Sequence, residues 1–121
     1  MKLCYYLSTC DTSKRIMKAL NLDGFELREI KSYALTEEEL DLMKKMSGSF
    51  ESLFSRRARK YKELGLKDKK LSEKDYRKLI LSDYTFLQRP VFLIEDEIFI
   101  GSGKSNVNRL IANLGNKIKS S

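Results

Sequence analysis

One cysteine in this chain stands where a thiol is easily ionised. Cys10 lies in the run Cys4-Tyr5-Tyr6-Leu7-Ser8-Thr9-Cys10-Asp11-Thr12-Ser13-Lys14-Arg15, where an apolar strand pattern gives way to a polar turn and then to a helical pattern. Backbone N–H groups at a helix start have no partner inside the helix, and the positive end of the helix dipole adds to their pull on an anion. A thiol held there can ionise well below its ordinary pKa of about 8.5, and the thiolate is the nucleophile. Cys10 is therefore the candidate catalytic residue. Cys4 sits mid-strand in an apolar run and reads as a small core residue. Ser13 occupies the place where a Cys-x-x-Cys motif would carry its second thiol. Cys10 thus has no local disulfide partner and needs an external thiol.

The 121 residues include no histidine. That absence removes Ser-His and Cys-His nucleophile pairs, an imidazole base and any histidine-based zinc site, and no metal is expected. The formal net charge of +7 comes largely from Arg56-Arg57-Ala58-Arg59-Lys60-Tyr61-Lys62 and Lys67-Asp68-Lys69-Lys70. A basic surface favours anionic ligands, from small oxyanions to nucleic acids. No stretch approaches the roughly 20 apolar residues of a membrane span. The opening residues read as a strand rather than a signal peptide, and two free thiols suit a reducing compartment. A cytoplasmic protein without membrane contact is expected, folded as one domain over residues 1–121.

The elements around Cys10 follow from periodicity. Residues 2–7 read as a buried strand, and the helical pattern from Ser13 puts Ile16, Ala19 and Leu20 on one side, with Asp11 or Thr12 as N-cap. Beyond Gly24, residues 25–30 alternate as a second strand with one wet face, so a βαβ unit with parallel pairing is expected. Thr36-Glu37-Glu38-Glu39 is a capping-box pattern opening a helix through Leu40, Met43 and Met46, broken at Gly48. Residues 50–64 predict one or two short helices, and residues 72–81 another with Tyr76, Leu79 and Ile80 inward. Pro90 opens the strand 91–94, Asp96-Glu97 is the expected turn, and residues 98–100 complete a hairpin. The last helix carries Val107, Leu110, Ile111, Leu114 and Ile118. The order β-α-β, a helical insertion over about 36–82, then β-β-α predicts an α/β fold with a thioredoxin-like mixed sheet.

Four pieces in order resemble the arsenate reductase family (ArsC/Spx-like). They are Cys10-Asp11-Thr12-Ser13-Lys14, Leu53-Phe54-Ser55-Arg56-Arg57 leading to Tyr61-Lys62-Glu63-Leu64-Gly65-Leu66, then Gln88-Arg89-Pro90-Val91, and Ile100-Gly101. The resemblance implies a thiol oxidoreductase of the glutathione- and glutaredoxin-coupled arsenate reductase type. Cys10 would be its single nucleophile and glutathione, or another small thiol, its co-substrate, with no resident cofactor. It implies Arg89 and Arg57 as oxyanion-binding residues, since planar guanidinium groups supply forked donors. Thr12, Ser13 and Lys14 join them, and Pro90 becomes a cis proline lying against the cysteine. The partners implied are a small oxyanion or thiol substrate and glutaredoxin, with the protein a monomer. The alternative within the same resemblance is an Spx-like transcription regulator that binds RNA polymerase without catalysis. Three positions depart from the reductase pattern. Leu7-Ser8-Thr9 stands for Asn-Pro before the cysteine, Tyr6 for a histidine, and Ser102 for a third arginine, near which Lys104 supplies charge.

Overall fold

The computed structural model describes residues 1–115, so Ile118 lies outside the described residues. In chain order the elements are β1 (Lys2–Tyr6), α1 (Asp11–Ala19), β2 (Glu26–Glu29), α2 (Glu37–Ser47), α3 (Arg59–Glu63), α4 (Glu73–Ser82), β3 (Val91–Ile94), β4 (Glu97–Ile100) and α5 (Lys104–Leu114). They divide into two compact units. Among the described residues, Met1–Tyr33 and residues 89–115 form the first, and Ala34–Gln88 the second.

The first unit holds a four-stranded sheet in the order β2-β1-β3-β4. β1 runs parallel to β2 and antiparallel to β3, and β3 pairs antiparallel with β4. This is the mixed sheet of a thioredoxin-like fold, in the strand and helix order that the sequence predicts. The position of each strand explains its residue pattern. β1 is central and all four residues of β3 are buried, so both read as apolar runs rather than alternations. β2 is an edge strand, and Leu27 is 50% exposed there. The wet surface is wider than the single face expected, because an edge strand has no outer neighbour to cover it.

Cys4, Ile16, Leu20, Phe92, Ile94, Phe99 and Leu110 form the core of this unit, with Tyr6, Phe25 and Val107 packed against it. α1 and α5 therefore bury their apolar stripes on one face of the sheet. Each large side chain enclosed there contributes about 1.5–3 kcal/mol. Phe25 meets Phe92 edge-on at 6.1 Å between ring centroids, which draws the entry of β2 against the core.

The hairpin differs from its expected form by one residue. Ile94 pairs with Glu97, so the loop is Glu95-Asp96 rather than Asp96-Glu97, and Glu95 takes a left-handed φ of 52°. The cross-strand pairs Val91 with Ile100 and Leu93 with Ile98 decide the register, and the turn has to fit it.

In the second unit α2 opens on the expected capping box. Thr36 accepts from the Glu39 N–H, Glu39 accepts from the Thr36 N–H, and Gly48 closes the helix at φ 95°. α4 repeats the device with Ser72 and Asp75. Residues 50–64 resolve into a 3-10 turn, Glu51–Leu53, and the short α3. Phe54 is the hub of this unit, stacked on Phe86 at 5.2 Å and tilted against Tyr76 at 4.9 Å and Tyr61 at 5.9 Å. No helix among the described residues is long and apolar enough to cross a membrane.

Candidate active site

β1 ends at the carboxyl end of the parallel β1–β2 pair, where open α/β sheets leave room for ligands. Buried Leu7 is followed by a tight turn, closed by the Cys10 N–H donating to the Leu7 carbonyl at 3.0 Å. Cys10 itself is the N-cap of α1, so the helix starts earlier than the Asp11 or Thr12 cap predicted. Thr12, half-buried in the first turn, has an N–H without an intrahelical acceptor. Lys14 differs. Its N–H already donates to the Cys10 carbonyl at 3.1 Å, and its side chain is exposed.

Ser13 is the buried polar side chain of the site, at 0% exposure, and its Oγ has no hydrogen-bond partner among the described residues. The neutral thiol likewise makes no capping hydrogen bond. Ionisation changes both, because a thiolate accepts hydrogen bonds that a thiol accepts only weakly. Burial by itself pushes the Cys10 thiol up. The Ser13 hydroxyl and N–H, together with the charge and hydrogen bond of Arg89, oppose that and bring it below its ordinary value. Cys4 has no such help, and burial drives its thiol up to about 12. The two cysteines are thus chemically unlike.

Arg89 and Pro90 lead into β3, joined by a cis peptide bond, and Pro90 is buried. The Pro90 carbonyl accepts the Gly101 N–H at 2.8 Å, which fastens the start of β3 to the end of β4 beside the site. The first unit thereby brings together Cys10, Thr12, Ser13, Arg89 and Pro90. Arg57 stands in the second unit, exposed in a turn where its N–H meets Ser55 Oγ at 3.3 Å. Its guanidinium has no ion pair or hydrogen bond among the described residues. Arg56 beside it is occupied, donating to Glu51 at 2.9 Å and to the Tyr76 hydroxyl at 3.1 Å. Of these two neighbours, Arg57 is the one open to a ligand.

The model of the ArsC family matches residues 5–110. The chain belongs to the ArsC family. ArsC proteins are thiol-oxidoreductase-like, and the chain has their thioredoxin-like fold. It is 29% identical over 102 residues to the uncharacterized protein YusI of Bacillus subtilis (strain 168), covering 80% of this chain and 86% of YusI. The solution structure of SACOL0876 from Staphylococcus aureus COL superposes with a TM-score of 0.72 at 28% identity, over 91% of this chain and 98% of that one. An arsenate reductase from Vibrio cholerae superposes with a TM-score of 0.71 over 90% of this chain and 96% of its own, and at 20% identity that likeness concerns the fold.

Two departures from the ArsC reductase pattern have clear places. Tyr6 ends β1, opposite Glu29, and packs against the hydrophobic core. Ser102 follows Gly101, whose carbonyl accepts from Asn106 Nδ2 at 3.0 Å, and Lys104 is exposed at the start of α5.

Sequence reasoning passes over Glu29. Its carboxylate accepts the Ser8 N–H at 2.7 Å and the N–H groups of Lys31 and Ser32 at 2.8 Å each. The Ser8 N–H above all, and then those of Ser32 and Lys31, hold this carboxyl down at about 2. The bond to Ser8 joins residues far apart in sequence, and an alternating Leu-Arg-Glu strand carries no local sign of it.

Proposed function

We propose that this ArsC protein is a single-cysteine thiol oxidoreductase that reduces an oxyanion of the arsenate type, coupled to glutathione and glutaredoxin. The observation that carries the reading is Cys10 at the N-cap of α1, its thiol lowered by Ser13 and Arg89. In the first step the Cys10 thiolate displaces one hydroxyl of the oxyanion as water and forms a sulfur–arsenic bond. An external thiolate then attacks the Cys10 sulfur, making a mixed disulfide. The bonding pair stays on arsenic, which passes from the +5 to the +3 state. A second thiol exchanges that disulfide and returns Cys10 to its thiol form, so two thiols are oxidised for each oxyanion reduced. Arg89 and Arg57 are the forked donors for the oxyanion, supported by Thr12, Ser13 and the Lys14 ammonium. Pro90 shapes the wall against the sulfur. The protein acts as a monomer in the reducing cytoplasm.

A coupled assay of arsenate-dependent NADPH oxidation with glutathione and glutaredoxin tests this. Turnover that vanishes in Cys10→Ser is expected. Turnover no greater than that of the Cys10→Ser control would sink arsenate as substrate.

A second reading is an Spx-like regulator of RNA polymerase. Residues 56–78 hold eleven Lys and Arg against four Asp and Glu, the whole of the chain's excess of +7. Such a surface suits an acidic partner. Salt-sensitive capture of RNA polymerase by the Cys10→Ser protein, with no turnover in the coupled assay, would favour it.

A further inference from the structure

We propose that Glu29 is a positioning residue for Cys10, one carboxylate that clamps the turn carrying the nucleophile to the end of β2. This rests on the reading of Cys10 as the reactive thiol and names what holds it there.

Cys10 reaches the helix N-terminus through a turn of only four residues, Leu7 to Cys10, closed by the Cys10 N–H on the Leu7 carbonyl at 3.0 Å. That turn leaves the sheet after Tyr6, and the bond from the Ile30 N–H to the Tyr6 carbonyl, at 3.0 Å, is the last rung of the β1–β2 ladder. The next tie on that side comes from a side chain. One Glu29 oxygen takes the Ser8 N–H at 2.7 Å, and the other takes the N–H groups of Lys31 and Ser32 at 2.8 Å each. The carboxylate thus continues the strand pairing past the point where the backbones part. An ionised acceptor makes shorter and stronger hydrogen bonds than a neutral one. It also meets the backbone of two loops at once, so a shift of the turn has to break a charged bond.

The geometry required at Cys10 makes such a brace useful. The thiolate depends on the Ser13 hydroxyl and N–H and on Arg89, all of which act at hydrogen-bond range. A sulfur that wanders by an ångström loses them and returns toward an ordinary thiol. The direction of the effect separates positioning from simple electrostatics. Arg89 is the charged group that bears on the sulfur, and Glu29 is a negative charge bonded to the same turn through Ser8. If Glu29 acted only through its charge, removing it would ease ionisation of Cys10. As a clamp, its removal raises the pH at which Cys10 ionises.

The test is the pH dependence of Cys10 alkylation by iodoacetamide in the wild type, Glu29→Gln and Glu29→Asp, with Cys4 remaining unreactive as the sign of an intact fold. Glutamine keeps the size but presents an amide NH2 toward an N–H donor, and aspartate is too short to reach both loops. The expected result is a lowered midpoint in the wild type, a higher one in both variants, and a several-fold slower reaction at neutral pH. An unchanged or lower midpoint in a folded Glu29→Gln overturns the clamp while leaving the reactive cysteine standing. A wild-type midpoint at the free-cysteine value overturns the reading of Cys10 and the clamp with it. Should the variants fail to fold, amide exchange of Ser8 in the wild-type protein decides. A protected Ser8 N–H supports the bond, and exchange at the rate of an open loop overturns it.

Discussion

The hydroxyl of Ser13 is buried one turn along α1 from the sulfur of Cys10, with no hydrogen-bond partner among the described residues, and it favours the ionised form of that sulfur. Ser13→Ala should therefore separate stability from reactivity. Removing an unsatisfied buried hydroxyl leaves folding within about 1 kcal/mol of wild type, on the stabilising side. The same change removes a donor to the thiolate, so alkylation of Cys10 at pH 7 slows by roughly three- to tenfold. Denaturant unfolding and iodoacetamide kinetics on one preparation check both halves. A variant both less stable and equally reactive would show that the hydroxyl serves the fold instead.

Arg56 and Arg57 are adjacent in sequence and unlike in their surroundings. Arg57→Ala should leave stability unchanged within about 0.5 kcal/mol, as expected of an exposed side chain with no partner among the described residues. On the proposed function, it should lower kcat/KM for arsenate by roughly tenfold or more. Arg56→Ala breaks contacts to Glu51 and Tyr76. Those contacts are half exposed, so the cost is below about 1 kcal/mol, and turnover should be kept. Steady-state kinetics of the two alanine variants, set beside their unfolding midpoints, give the comparison.

Glu29 also predicts how the fold answers acid. Its carboxyl is held at about 2 in the folded chain, against an ordinary 4.5. A depressed carboxyl contributes stability that is fully present above pH 4.5 and is lost as the pH falls toward 2. Stability measured by urea unfolding at a series of pH values should fall through that window in the wild type. In Glu29→Gln the fall should be shallower, because the variant has no such group to protonate.

The βαβ and ββα orders were legible because each strand and helix carries its own period, and those periods depend on burial alone. The Thr36 capping box was legible for a similar reason, since its two bonds span three residues. What escaped depended on partners that only the folded chain brings together. The hairpin turn shifted to Glu95-Asp96 because Val91 and Leu93 chose their opposites on β4. The alternation of residues 25–30 predicts one wet face, and Leu27 is exposed on an edge strand that no local pattern marks as an edge. The candidate nucleophile could be picked out because a lone cysteine at a helix start is a local pattern. Glu29 could not, since nothing near it in sequence announces that Ser8 lies within 2.7 Å. Arg56 and Arg57 could not be told apart until Glu51 and Tyr76 were placed.

Phe54 should be the costliest aromatic to truncate in the second unit. It is buried and touches three other rings. Phe54→Ala leaves a cavity that those rings fill only in part, for a loss of about 3–5 kcal/mol. Guanidinium unfolding with an unchanged slope and a lower midpoint is the expected signature.

The contrast between the two cysteines gives the chain an internal gauge of its own integrity. A thiol reagent added to the native protein meets one ready sulfur, Cys10, while Cys4 is sealed in the core and reluctant to ionise. The first equivalent of label therefore counts sites fit for chemistry. The second equivalent, arriving only as the sheet opens, clocks the excursions of the core.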